Sequence, residues 1–215
     1  MTTGMMRLLL LLTCLQAAAA VAQTAAPPAQ EDMQRNMQRA ILRDRDRNEV
    51  EKYLQAGFDL HWPIGCGTFD ALDGAVAIED PEMVALLLRY GARPKESTFV
   101  RAAFRPAPDK AVKIIAAFLQ AGADVNSKEY TPGNRIGYWT ALHWAVWQQN
   151  VELVRLLLSQ KGVSLNDVDV DGQTALNIAK DKGDATIVAL LLQAGAGASP
   201  SGTGKAAPQV ASLRH

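Results

Sequence analysis

Cysteine is nearly absent from this chain. Two stand among 215 residues, Cys14 and Cys66, too few for the disulfide framework that holds small secreted folds together. Histidine is scarce as well, with His61, His143 and His215 the whole set. None of these residues stands at metal-ligand spacing, so the sequence offers no metal site and calls for no cofactor. An excess of one charge is missing, because 22 Lys and Arg stand against 22 Asp and Glu. Without a basic surplus there are few counterions to release from a phosphate backbone, which argues against nucleic acid as a partner. A long apolar run is missing too. The apolar stretch near the start falls short of the roughly 20 residues that a spanning helix needs, so no membrane span is expected in the mature chain. Gly65-Cys66-Gly67 lacks the Gly-Lys-Ser/Thr ending of a phosphate loop.

What the chain does have is a period. Gly57, Gly91, Gly122, Gly162 and Gly195 lie 34, 31, 40 and 33 residues apart. Val50, Val84, Ile115 and Val188 precede their glycines by seven residues, and Val154 precedes Gly162 by eight. Apolar pairs stand just before each glycine: Tyr53-Leu54, Leu87-Leu88, Phe118-Leu119, Leu157-Leu158 and Leu191-Leu192. A period in this range marks stacked units, each unable to bury its apolar face alone. Glycine suits the position just past a helix end, because it adopts the left-handed backbone without strain. Start signals accompany these stops. Asn48, Asp80, Asp109, Asn150 and Asp184 are expected N-caps, Pro81 fits a first helical position, and Asn48 with Glu51 reads as a capping box. A first helix is expected before each of these, clearest in Thr140-Ala141-Leu142-His143-Trp144-Ala145-Val146 and Thr174-Ala175-Leu176-Asn177-Ile178-Ala179. Asp171-Gly172 signals a hairpin turn between them.

These units resemble the ankyrin repeat. The resemblance covers residues 34–199 and is most specific where Thr-Ala-Leu-His begins at Thr140 and Gly-Ala-Asp-Val-Asn begins at Gly122. It implies an all-α repeat solenoid of about five helix-turn-helix units with hairpin fingers, at about 34–66, 67–96, 97–130, 139–171 and 172–199. Repeat 2 carries Asp70-Ala71-Leu72-Asp73 at its first helix. The connector from Gly91 to Ser97 is short for a finger. Arg105-Pro106-Ala107-Pro108 adds residues between the helices of repeat 3, and the connector into repeat 4 is enlarged near 130–135.

Outside the repeats the readings are compositional. Arg7, the run from Leu8 to Leu12, and Ala20-Val21-Ala22 form the charged, apolar and cleavage regions of a signal peptide over 1–22. Cleavage after Ala22 would leave Gln23 first and Cys66 as the single cysteine. Lipidation at Cys14 is the lesser reading. Residues 23–33 read as a flexible linker, and 200–215 as a disordered tail. The leader and its Ala/Pro-rich spacer resemble bacterial ones, which implies the periplasm.

Catalytic chemistry has little to stand on. His61 and Cys66 share one connector, but the sequence supplies no orienting group or oxyanion hole for a thiol enzyme. Asp167, Asp169 and Asp171 alternate without the downstream glutamate of a calcium loop, and read as a solvated finger. His143 takes a structural role that the resemblance implies, bonding the backbone of a neighbouring repeat.

Binding has more. Leu142, Ala145 and Val146 form the core side of their helix, which turns Trp144, Trp147 and Gln148 outward. Tyr138 and Trp139 extend that aromatic cluster. The same offsets give Arg39 and Arg43 in repeat 1, Arg101 and Arg105 in repeat 3, and Lys182 in repeat 5. The alternative is that Trp144 or Trp147 packs under the connector before Tyr138. The expected function is a non-catalytic scaffold that holds another protein in a concave groove, and a monomer is expected. The resemblance to small exported bacterial ankyrin proteins implies a helper of an exported enzyme. An inhibitor conferring immunity to a toxin is the alternative, and a thiol redox protein built on Cys66 a more distant one.

Overall fold

The computed structural model describes residues 28–61, 69–129 and 138–197. The signal segment, Cys66, the connector at 130–137 and the tail after 197 lie outside the described residues. Ten α-helices run in order through them: α1 Pro28–Arg39, α2 Arg47–Gln55, α3 Ala71–Ala77, α4 Pro81–Arg89, α5 Glu96–Phe104, α6 Pro108–Gln120, α7 Ala141–Trp147, α8 Val151–Leu158, α9 Ala175–Lys182 and α10 Ala185–Gln193. They make five antiparallel pairs. First helices stack on first helices and second on second. Residues 28–33, read from composition as linker, belong to α1, and Met33 already packs against the core. A π-helical turn, Ala40–Asp44, extends α1.

Helix ends follow the local chemistry. Asp80, Asn150 and Asp184 cap α4, α8 and α10 through their side chains, and Pro81 opens α4. Two expected caps are corrected. Asp46, not Asn48, caps α2, with Oδ1 accepting from Asn48 N at 2.9 Å and Glu49 N at 3.1 Å. A carboxylate two residues upstream meets those amides first, so Asn48 lies inside the first turn. Glu51 closes no capping box; it accepts from Arg89 and from the Tyr90 hydroxyl, each at 3.1 Å. In α6 the boundary is Ala107, without a side-chain cap, because Pro108 takes the first position. Asp109 then sits in the first turn, where a negative charge favours the helix dipole.

The closing glycines behave as their spacing requires. At Gly122, φ is +84°. Its N–H donates to Leu119 O and that of Ala123 donates to Phe118 O, both at 3.0 Å, the paired bonds of a Schellman ending. The same pairs close α2, α4 and α10. Gly162 differs. Its unit carries the one extra residue after Val154, α8 ends at Leu158, and Val163 N bonds Gln160 O instead.

The core is one continuous cluster from Met37 to Ala196. The second helices of neighbouring units supply much of it: Met83, Leu87, Ile114, Phe118, Leu153, Leu157, Ile187 and Leu191 are all fully buried. Two fingers are described. β1 Lys128–Glu129 pairs antiparallel with β2 Trp139–Thr140. The next closes with a bridge between Val168 and Thr174, and Gly172 at φ +74° supplies the hairpin turn that Asp171-Gly172 signals. The fingers bond one another. Asn126 Oδ1 accepts from Ser164 N at 2.8 Å, and Asn166 Oδ1 accepts from Gly197 N at 2.9 Å.

Candidate functional site

The finger side of repeats 3 to 5 gathers aromatic, histidine, acidic and basic side chains. Its base is the start of α7. Thr140 Oγ1 and His143 Nδ1 lie 2.8 Å apart, and Nδ1 also takes the Thr140 N–H at 3.2 Å. This capping box fixes the first turn. His143 is buried, and burial lowers its pKa below the usual histidine value. Backbone groups of Gln173 and Asp167, with the carboxylates of Asp169 and Asp167, oppose that shift only in part. Nε2 closes no hydrogen bond of normal geometry. The neighbouring repeat's backbone therefore faces the ring, as the resemblance implies, without a full bond to it.

From that base an aromatic stack runs across repeats 3 and 4 and ends on a cation of repeat 5. Phe104, at the end of α5, stacks on Trp144 with ring centroids 4.5 Å apart. Trp144 meets Trp139 edge-on at 4.7 Å, and Trp139 meets Trp147 edge-on at 5.7 Å. The Lys182 ammonium then sits 3.5 Å from the centroid of the Trp147 ring, a cation–π contact between α9 and α7.

The structure sorts the sequence candidates into two groups. Trp139 is only 7% exposed: its ring packs against His143, Trp144 and Trp147, and its indole N–H donates to Asp169 Oδ2 at 2.9 Å across to the next finger. It supports the surface and does not form it. Trp144 is half-buried between Phe104 and Trp139. Gln148 Nε2 donates to Phe104 O at 2.7 Å, tying repeat 4 to repeat 3. Arg101 is engaged as well: Nε donates to Glu129 at 3.1 Å, Nη1 reaches Asp73 at 3.4 Å, and the guanidinium lies over Phe69. The groups left outward are Trp147 and Tyr138, each 48% exposed, with Lys182 and Arg105 exposed beside them. Arg105 and Lys182 have no carboxylate partner among the described residues. Tyr138 holds a left-handed φ of +70°, a conformation that costs energy for a residue with a Cβ.

Sequence reasoning missed three members. Phe104 stands between Arg101 and Arg105, and its aromatic ring so close to two outward positions was the signal that could have found it. Asp169, expected to be solvated, accepts Trp139 and also takes Asp171 N and Gln173 N at 2.9 Å each. Asp167 pairs with Lys128 at 3.0 Å. Repeat 2 builds the Thr140–His143 box from carboxylates. Asp70 and Asp73 cap each other's backbone, Thr98 donates to Asp73 at 2.6 Å, and Lys95 reaches Asp70 at 2.8 Å. Both acids are buried, and the positive groups satisfy the charge there.

The remaining candidates lie elsewhere. Arg39 pairs with Asp44 at 3.4 Å, and with Arg43 it lines a shallow groove on α1 beside Arg35, Gln38 and Leu42. His61 is exposed, its backbone held by Asp59, while Cys66 is outside the described residues. Among the described residues no group of three or more acidic, cysteine or histidine side chains could hold a metal. No helix among them is long and apolar enough to cross a membrane.

The repeat geometry has a counterpart in known proteins. Residues 72–201, more than half of the chain, match the family described as ankyrin repeats in three copies. The chain belongs to the ankyrin-repeat family. It is 30% identical over 148 residues to I-Kappa-B like protein G1 of Microplitis demolitor bracovirus, covering 68% of this chain and 79% of that protein. It is likewise 30% identical over 155 residues to the Nuclear factor NF-kappa-B p105 subunit of Gallus gallus, which again covers 68% of this chain. There the match spans only 15% of the relative's length. Ankyrin repeats are protein–protein interaction modules and are generally non-enzymatic.

Proposed function

We propose that this ankyrin protein is a non-catalytic scaffold that binds another protein across the finger side of repeats 3 to 5. Trp147 and Tyr138 serve as its anchors, with Arg105 and Lys182 at their flanks. One observation carries the reading: two large aromatics, Trp147 and Tyr138, stand half exposed beside a base that Trp139–Asp169 and Gln148–Phe104 hydrogen bonds fasten to the neighbouring repeats. Water-facing aromatic area is what a partner gains most by covering, and aromatics dominate interface energetics. The base of Trp139, Trp144, Gln148 and Asp169 holds the anchors in place before the partner arrives, so little ordering entropy is lost on binding. The flanking cations favour a partner with carboxylates around its apolar contact.

The same proposal places the protein in the periplasm after cleavage at Ala22, as a helper of an exported enzyme, or alternatively as an inhibitor of an incoming toxin. An intact mass beginning at Gln23 in a periplasmic fraction supports export, and an uncleaved chain in the cytosol refutes it. For the binding surface, tagged mature protein and its Trp147→Ala/Tyr138→Ala variant are used as baits in the same extract. A protein retained by the first and lost from the second, and then titrated as a purified component with the same difference, supports the surface. Equal retention by two equally folded baits moves the interface away from it.

A further inference from the structure

The Thr140–His143 box fastens more than a helix end. Tyr138 and Trp139 precede it in the finger, and Trp144 and Trp147 follow it in α7, so both halves of the aromatic face meet at this one turn. A backbone N–H can only donate. The bond from Thr140 N at 3.2 Å therefore requires a lone pair on Nδ1 of His143. The ring proton then sits on Nε2, a buried donor with no partner of normal geometry among the described residues. Repeat 5 builds the same turn without a titratable side chain: Thr174 Oγ1 accepts from Asn177 N at 3.2 Å.

Protonating Nδ1 sets two donors against each other across that 3.2 Å bond, and the box loses it. The groups around the ring are already engaged. Asp169 accepts the Trp139 indole on Oδ2 and the amides of Asp171 and Gln173 on Oδ1. Asp167 is paired with Lys128. On α5, Arg101 is held by Asp73 and Glu129. On α9, Lys182 lies over Trp147. Glu152 and Arg155 of α8 are exposed, and α7 carries no ionisable side chain besides His143. A carboxylate that turns toward the charged ring leaves a bond it has, and for Asp169 that bond is the one fastening Trp139.

We propose that His143 is an acid-sensitive latch for the finger face: its protonation opens the capping box and loosens Trp139 and Tyr138 from α7. Resting on the docking function proposed above, the partner is held near neutral pH and released in acid. Burial keeps the ring neutral to below the usual histidine range, so the latch is shut at neutral pH.

The test is amide exchange by NMR, corrected for the intrinsic effect of pH, on the full chain and its His143→Asn variant between pH 7.5 and 4.5. Protection at Thr140 and His143 should fall by about tenfold per pH unit below the folded pKa, while Asn177, in the matching turn of repeat 5, holds its protection. In His143→Asn, Thr140 should stay flat as well. No loss at Thr140, an equal loss at Thr140 and Asn177, or the same loss at Thr140 in His143→Asn each overturns the latch. Should the variant fail to fold, Thr140 against Asn177 within the parent decides alone. Photocrosslinking from a benzophenone amino acid at Arg105 reads the effect on the partner. Capture at pH 7.5 that falls at pH 4.5 in the parent but not in His143→Asn supports release. Equal capture at both pH values from a chain whose box has opened overturns it. No capture at pH 7.5 defeats the docking reading instead, and the amide comparison still decides the latch.

Discussion

Replacing Leu157 by alanine tests the stacked core at its centre. Leu157 is fully buried in α8, between first helix α7 and the neighbouring second helices α6 and α10. The substitution removes three carbons, worth about 2.4 kcal/mol of transfer free energy at about 0.8 kcal/mol each. The surroundings have little freedom to close the gap. Helix α7 is pinned by the Thr140–His143 box, and Asn150 at the start of α8 donates to Pro108 O at 3.0 Å, fastening it to α6. A residual cavity adds about 1 kcal/mol more. The expected loss is therefore about 3–4 kcal/mol, read as a lower urea midpoint at unchanged slope. In a thermal melt it is a drop of about 10 °C for a unit of this size. Leu191→Ala, equally buried in α10, should behave in the same way, and coupling between units should spread each loss beyond its own repeat. Melting curves that match the parent for both variants would refute a continuous stacked core.

Other expectations follow from single contacts. Gly122→Ala should cost about 1–2 kcal/mol through backbone strain alone, because φ there is +84° while nothing lies within 4 Å of an added Cβ; a smaller change in the urea midpoint contradicts the left-handed ending. Arg101→Ala should destabilise by about 1–3 kcal/mol, since it strips a charged partner from Asp73 and Glu129. Arg105→Ala should stay within about 0.5 kcal/mol at its exposed position, and equal melts for the two would show that the Arg101 contacts contribute nothing. His143 gives a pH signature. Its folded pKa is lowered by burial, so the unfolded chain takes up the proton first and the stability of the neutral ring is fully present only above about pH 6.5. It is lost as pH falls from there through the folded pKa. His143→Asn, which copies Asn177 of the next repeat, should flatten that part of the stability–pH curve, and an unchanged slope would place the titration elsewhere.

The second helices were legible because their signals are local. Asp80-Pro81, Asn150 and Asp184 carry caps in their own side chains, and the closing glycines need only the residues just before them. Where a nearer group competes, local reading slips: Asp46 reaches the amides of α2 before Asn48 does, and Pro108 fixes the start of α6 ahead of Asp109. The binding face was legible in outline, since the helical period turns Trp144, Trp147 and Gln148 away from Leu142 and Val146. What covers an outward residue is a non-local fact. Trp139 is fastened by Asp169, 30 positions away, and Arg101 is held by Asp73 and Glu129, each 28 positions away on opposite sides. No periodicity encodes such pairings. The exchange of Thr and His for Asp70 and Asp73 in repeat 2 was visible as a departure, but its balance depends on Thr98, Lys95 and Arg101 arriving from the next unit.

The proposed interface is the finger side of repeats 3 to 5. The most direct measurement is site-specific photocrosslinking in the cells that make the protein, with a benzophenone amino acid placed at Arg105, Tyr138 or, as a control on the outer side of α8, Glu152. One protein should be captured from Arg105 and Tyr138 and not from Glu152. Capture from Glu152 alone, or from none of the three positions while the chain is folded and present, would contradict it.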